Sequence, residues 1–322
     1  MESRQSMWAA ALLAALFAST GAAQNYPLKP VRIVVPFAAG GGVDVTARIL
    51  AQKLTERVGQ SFIVENRAGA SGIIGTEFVA KSAPDGYTLL VGSQTTQAVV
   101  PAMYGKVNYD GARDFAPVTE IAVSPLLIVV HPSLPAKSVK DLVALAKARP
   151  GQLTFGAATG GTPHLAAELF KLTAQVDMLL VPYKGESPAL ADAMGGQISM
   201  VFANLPVGLP LAQGGRLRAL AVTSLQRVST APAIPTVAES GLPGFEANTW
   251  FGLFAPAATP RDVVARLAGD SASALGAPEV KERMAAQGLF VVANAPEQFA
   301  QFLRVEIPRW QKVVKDAGVK PQ

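Results

Sequence analysis

The sequence predicts an α/β fold with more than one domain. Three observations carry this. The chain has 322 residues, 50% hydrophobic and 16% charged, a length that supports two cores rather than one. Short β-branched runs alternate with segments of helical spacing along most of it. Two strand-to-helix turns rich in small residues, at 40–42 and 156–161, repeat one local design.

The elements follow in order. Val31 to Val35 reads as a buried strand that Pro36 stops. Gly40, Gly41 and Gly42 form a loop without Cβ atoms. A helix follows, with Val43, Ala47, Leu50, Leu54 and Val58 on one face and Gly59 as its stop. Residues 61–66 form a second strand. Glycines 69, 72 and 75 then lack the G-x-G-x-x-G spacing of a dinucleotide site, and no P-loop motif occurs. A helix over 73–82 ends at the turn Pro84-Asp85-Gly86. A third strand, 87–91, runs into a polar loop, 92–96, at the sheet edge where doubly wound folds bind ligands. Residues 126–130 form another apolar strand, and Ser138 to Asp141 open a capped helix that Pro150-Gly151 closes. Residues 153–155 form a strand and 156–161 the second small-residue loop. Thr162 then serves as N-cap, with Pro163 at the first helical position. Strands at 178–181, 198–202 and 217–222, with a helix at 188–194 between the first two, continue the alternation. A Gly/Pro-rich crossing at 241–250 leads to a strand at 251–254. The remainder is mostly helical, with starts at Pro260, Pro278 and Pro296; Pro308 is expected to kink or split the last helix.

Composition narrows the function. The net charge of +5 is scattered, with no basic run or stripe, so nucleic-acid binding is not inferred. Arg4, the apolar run Trp8–Phe17 and the small residues at 21–23 read as a secretory signal, residues 1–23, cut before Gln24. The run falls short of the roughly 20 residues of a membrane span. Absence of Cys removes disulfides, thiol catalysis, a lipoprotein anchor and Cys-based metal sites, which fits export to a bacterial periplasm.

The two glycine turns place backbone N–H groups at helix N-termini behind strands, a geometry that binds anions such as carboxylates. Taken singly, either turn is equally a tight strand-to-helix connection. Neither carries Lys or Arg, which phosphoryl transfer would need. What they offer is amides and hydroxyls, which favours binding over catalysis.

The segments Pro-Val-Arg-Ile-Val-Val-Pro-Phe-Ala-Ala-Gly-Gly-Gly-Val-Asp (30–44), Val-Glu-Asn-Arg-Ala-Gly-Ala-Ser-Gly-Ile-Ile-Gly (64–75), Ala-Pro-Asp-Gly-Tyr-Thr-Leu-Leu (83–90) and Val-Pro-Tyr-Lys-Gly (181–185) together resemble the Bug receptors. These are the periplasmic solute-binding proteins of tripartite tricarboxylate transporters. The resemblance runs from about Tyr26 to the C-terminus. It implies a type II-like, two-lobed periplasmic binding protein, a Venus flytrap, each lobe a βα sheet flanked by helices. Lobe one would take residues 24–124 and 248–322, lobe two residues 125–247. The expected partners are a small organic carboxylate and the membrane permease subunits of such a transporter. No nucleic acid, cofactor or metal is expected, and the protein is expected to be a monomer. The resemblance assigns ligand binding to Phe37, Ala38, Gly40, Gly41, Ser93, Gln94, Thr159, Gly160, Thr162, His164, Tyr183 and Asn204. One departure is Ala203: relatives often carry an acid there, which can hold a ligand amino group. Its absence leans toward plain mono-, di- or tricarboxylates.

Single residues leave choices open. Asp44, in the first helical turn, either caps the glycine loop or meets ligand or its water. His164 is divided between ligand contact and packing; His131 reads as structural. Two distant histidines without Cys argue against a metal site. Glu65, Asn66 and Arg67 read as a surface loop network or lobe-stabilising pair, Lys184 as a solvated loop charge or the basic partner of a second ligand carboxylate, and Trp250 as packing the hinge at the second crossing. The preferred function is a receptor that hands a carboxylate to a permease. The alternatives are a ligand sensor for a kinase and a secreted hydrolase or isomerase with His164 as base. Against the enzyme, there is no G-x-S-x-G elbow and no acid clearly paired with either histidine.

Overall fold

The computed structural model describes residues 26–320; the segment read as a secretory signal lies outside them. Two sheets organise the chain. In the first, β1 (Val31–Val35) pairs in parallel with β2 (Phe62–Asn66) and β3 (Thr88–Ser93). Antiparallel β10 (Thr249–Pro256), β4 (Phe115–Ser124) and the short β11 (Phe290–Val291) complete it, in the order β11-β4-β10-β3-β1-β2. The second contains β5 (Leu126–Val130), β6 (Thr154–Ala157), β7 (Leu179–Pro182), β8 (Met200–Asn204) and β9 (Arg218–Val222), in the order β7-β6-β8-β5-β9. The apolar run of β1 is buried except at Arg32, as a strand inside a parallel sheet should be.

Helices join the strands: α1 (Gly42–Val58), α2 (Ile73–Ala80), α3 (Val100–Tyr104), α4 (Val139–Ala148), α5 (Thr162–Ala174), α6 (Glu186–Met194), α7 (Leu205–Gln213), α8 (Arg261–Gly276), α9 (Pro278–Ala286) and α10 (Pro296–Asp316). Gly59 ends α1 in the left-handed region, φ 76°, its N–H bonded to Thr55 O. Ser138 caps α4, accepting from Asp141 N–H.

The chain leaves the first sheet after Ser124 and re-enters it at Thr249. Thr223 ties these two passages together. Its Oγ1 accepts from Leu126 N–H at 2.8 Å and donates to Ala247 O at 3.0 Å, and Ala247 N–H donates to Thr223 O at 3.1 Å. One hydrophobic core draws on both sheets, with Val34 and Leu90 from the first, Phe155 and Phe202 from the second, and Phe170 from α5. Phe299, Trp310 and Val313 of α10 belong to the same core. Trp250 is buried within it, edge-on to Phe299 and Phe302.

Several expectations are corrected. The polar loop expected at 92–96 is instead the end of β3 followed by one π-helical turn, Thr95–Val99. The second small-residue loop is shorter than expected, because Gly156 and Ala157 continue β6. A methyl at Gly156 would come within 3.0 Å of Ile198, Ala189 and Tyr183, so a glycine is needed in the strand itself. The N-cap of α5 is Gly161; Thr162 is its first residue. Pro308 does not split α10, which runs unbroken across it. Strand β4 and helices α3 and α7 were not anticipated.

Candidate functional site

A cavity of about 560 Å3 opens where the two sheets face each other. From the first sheet's side it is lined by Phe37, Gly40, Gly41, Gly42, Val43, Val45, Ser93, Thr95, Ser124, Thr249, Phe251, Gln287 and Leu289. From the second come Thr162, Pro163, Glu186, Asn204, Pro206 and Val207. Among these described residues there is no Lys, Arg or His.

Helix starts dominate the lining. Gly41 and Gly161 are the N-caps of α1 and α5, and neither helix has a side-chain cap. Both N-caps are extended, at φ −81°, ψ 169° and φ −72°, ψ 161°. An uncapped helix leaves first-turn N–H groups without a partner inside the helix. The starts of α6, at Glu186, and α7, with N-cap Asn204 and Pro206 at its second position, border the same cavity. Four helix N-termini therefore border one space in which no basic side chain competes for an anion.

A side chain four residues on braces each glycine turn. Gly40 N–H donates to Asp44 Oδ2 at 2.9 Å, and Gly160 N–H donates to His164 Nδ1 at 2.9 Å. Gly40 and Gly160 share the left-handed region, φ 89° and 76°. Asp44 also accepts from Arg48 Nε at 2.9 Å and from Asn66 Nδ2 at 2.9 Å, and Asn66 Nδ2 donates to Phe37 O as well. Burial alone would raise the Asp44 carboxyl, but its donors Arg48, Gly40 and Asn66 outweigh burial and hold it below the usual carboxylate range. His164 uses Nδ1 as acceptor, so its proton sits on Nε2, which faces Glu168 at 3.7 Å. Nδ1 is thus committed to Gly160, and His164 lies outside the cavity lining.

The thirteen residues singled out in the sequence divide accordingly. Phe37, Gly40, Gly41, Ser93, Thr162 and Asn204 come together on the cavity. Ala38 is exposed outside the lining, and Asp44 and His164 lie behind the loops as braces. Gly160 is covered: a methyl there would meet Met103 Cε at 2.8 Å. Thr159 is half-buried beside it and outside the lining. Gln94 is buried, and its side-chain amide has no partner among the described residues. The Tyr183 hydroxyl donates to Asp192 Oδ2 at 2.6 Å, turned to the helix that follows it, α6. Lys184 is exposed, and His131 closes a local turn with Ser133.

Glu186 is the charged residue of the lining and was not among those the sequence assigned. Its Oε1 accepts from Asn204 N–H at 2.5 Å and its Oε2 from Asn204 Nδ2 at 2.7 Å. Burial pushes this carboxyl upward, while the two Asn204 donors pull it down. The one available signal was an acid in the first turn of a helix whose preceding loop was already suspect.

Two sheets joined by paired crossings, with helix ends converging on the space between them, define a two-lobed solute-binding receptor of the periplasmic binding-protein class. The profile of the tripartite tricarboxylate transporter family receptor matches residues 46–319, and the chain belongs to that family. It is 41% identical to protein BugT of Bordetella pertussis over 92% of each chain. Among solved structures it is similar to an R. palustris protein with adipate, at 40% identity and a TM-score of 0.77, covering 92% of this chain and 100% of that one. It is also similar to MatC of Rhodopseudomonas palustris with bound malate, at 32% identity and a TM-score of 0.73, covering 90% and 100%.

Proposed function

We propose that this protein is an extracytoplasmic receptor that captures a small organic carboxylate between two lobes and delivers it to a tripartite tricarboxylate-type permease without transforming it. The observation that carries this reading is the pairing of α1 and α5. Two uncapped helix N-termini, reached from different sheets, border one cavity with no basic side chain in its lining. Fixed amide dipoles in a partly dry cleft stabilise a carboxylate without the desolvation that a buried Lys or Arg would suffer. The lobes would be residues 24–124 with 248–322, and 125–247, moving about the passages tied by Thr223. Phe37, Gly40, Gly41, Ser93, Thr162 and Asn204 would contact the ligand, with Asp44 and His164 holding the loops in shape. The carboxylates bound by the two R. palustris relatives support the ligand class. Family membership supports the permease and the periplasm.

Thermal-shift screening of the purified protein against mono-, di-, tri- and aminocarboxylates tests the reading. A ligand that binds only the folded state raises the melting temperature with occupancy. At least one carboxylate should raise it in a saturable way. A flat response across the panel counts against the receptor assignment.

A further inference from the structure

Within the receptor reading above, the cavity contains a carboxylate of its own. Glu186 lies in the first turn of α6, and both its oxygens are held by Asn204, the N-cap of α7. An anion in this position takes the place that a ligand carboxylate would occupy at the starts of α6 and α7. The start of α1 has a first-turn acid as well, but Asp44 lies outside the lining and is paired with Gly40, Arg48 and Asn66, and the start of α5 has none. The anion-binding capacity of the cavity is therefore unequal, open at the α1 and α5 turns and filled at α6 and α7.

We infer that Glu186 makes the receptor selective for ligands with a single carboxylate and a protonated nitrogen at the other end, the carboxylate lying at the glycine turns and the nitrogen beside Glu186. Asn204 supplies two donors to a group with about four acceptor positions, so capacity remains for a ligand N–H. No Lys, Arg or His among the described lining residues neutralises the charge. A cationic nitrogen would do so; a second ligand carboxylate would meet like charge in a partly desolvated site. Ala203 agrees with this placement. Its side chain is buried against Gly208 in the core of the second sheet, away from the lining. The missing acid at 203 therefore does not leave the cavity without one.

The test compares three series of matched chain length at pH 8. These are ω-amino carboxylates and α-amino acids, the corresponding alkanoates, and the corresponding dicarboxylates, titrated calorimetrically into the wild-type protein and Glu186→Gln. The wild type should bind its best amino carboxylate about tenfold or more tighter than the matched alkanoate and dicarboxylate. Glu186→Gln should lose that preference and gain affinity for dicarboxylates. Wild-type dicarboxylate binding equal to or tighter than amino-carboxylate binding overturns the inference and leaves the receptor reading standing. So does a substitution that weakens all three series alike. Because the wild-type ratio is decisive alone, an unstable variant does not blunt the test. Binding in none of the series overturns this inference, and the thermal-shift panel, which also holds tricarboxylates, then decides the receptor reading.

Discussion

Gly160 gives its amide hydrogen to Nδ1 of His164 at 2.9 Å. Gly40 does the same to Asp44 Oδ2 on the other side of the cleft. The same turn is thus built twice, once with a carboxylate and once with an imidazole as the acceptor. Each brace fixes a left-handed glycine and so the direction in which the next helix starts. His164→Ala should leave the buried Gly160 N–H unsatisfied and cost about 1–3 kcal/mol of stability. It should weaken ligand binding only modestly, through a loosened loop. Urea unfolding and calorimetric titration check both effects. Unchanged stability would mean that the imidazole does not brace the turn.

Gly41 offers a cleaner test of the glycine turns. Its φ of −81° suits any residue, and a methyl there would find its nearest neighbour, Ala38 O, at 4.0 Å. Gly41→Leu should therefore fold with near wild-type stability while its side chain fills space that Gly41 lines. Carboxylate affinity should fall by about a hundredfold or more, the scale of losing a main anchoring contact. Retained affinity in a folded variant would show that the carboxylate does not sit at this turn.

Glu120 sets a pH dependence. It is 4% exposed on β4. Burial first, then the charge of Glu306, push its pKa from 4.5 up to about 7; the Asn294 donor opposes this and Glu246 adds a smaller push. In the unfolded chain the group titrates near 4.5. Between these values the folded state holds more protons, so stability falls as pH rises through the window and the loss is complete above it. The burial of Glu246 and the charge of Glu306 raise Glu246 as well, which acts in the same sense. The urea midpoint should drop from pH 5 to pH 8. Glu120→Gln should be the more stable protein at pH 8 and should flatten much of that slope. A less stable variant at pH 8 would reverse the assignment.

The legible parts of the fold were those governed by local rules. The apolar run of β1, the glycine turns and the Ser138 cap each depend on neighbours a few residues away. Strand β4 was hidden because Pro117 and Glu120 interrupt its pattern. Both are tolerated: Pro117 sits where the β4–β10 register shifts, and Glu120 takes Asn294 as partner from far along the chain. Helix α7 contains Pro206, Gly208 and Pro210, which read as breakers. Pro206 falls at its second position, where no N–H is needed, and Gly208 lets it press on Ala203. For the cavity, the turns were readable but their occupants were not. Asn204 was singled out alone, since nothing in the sequence pairs it with an acid 18 residues earlier. Gly160 looked like a ligand residue, and only the packing of Met103 shows it to be covered.

Gly288 gives a test of closure that separates contact from backbone strain. It lies between the lining residues Gln287 and Leu289, at φ 66°, against Pro206 at the start of α7. A methyl on it would fall 2.5 Å from Pro206 Cδ and 3.1 Å from Cγ. A proline ring cannot swing aside as the end of a flexible side chain would, so Gly288→Ala should hold the two sides of the cleft apart. A left-handed alanine also costs about 1 kcal/mol wherever it occurs. Gly59→Ala supplies that cost alone, since its φ is 76° and a methyl there meets nothing within 4 Å. Both variants should lose similar stability without ligand. Only Gly288→Ala should lose affinity, by about tenfold or more, and fail to show the ligand-induced decrease in radius of gyration expected of a closing cleft in small-angle scattering. Equal affinity in the two variants would mean that the Gly288–Pro206 contact plays no part in ligand binding.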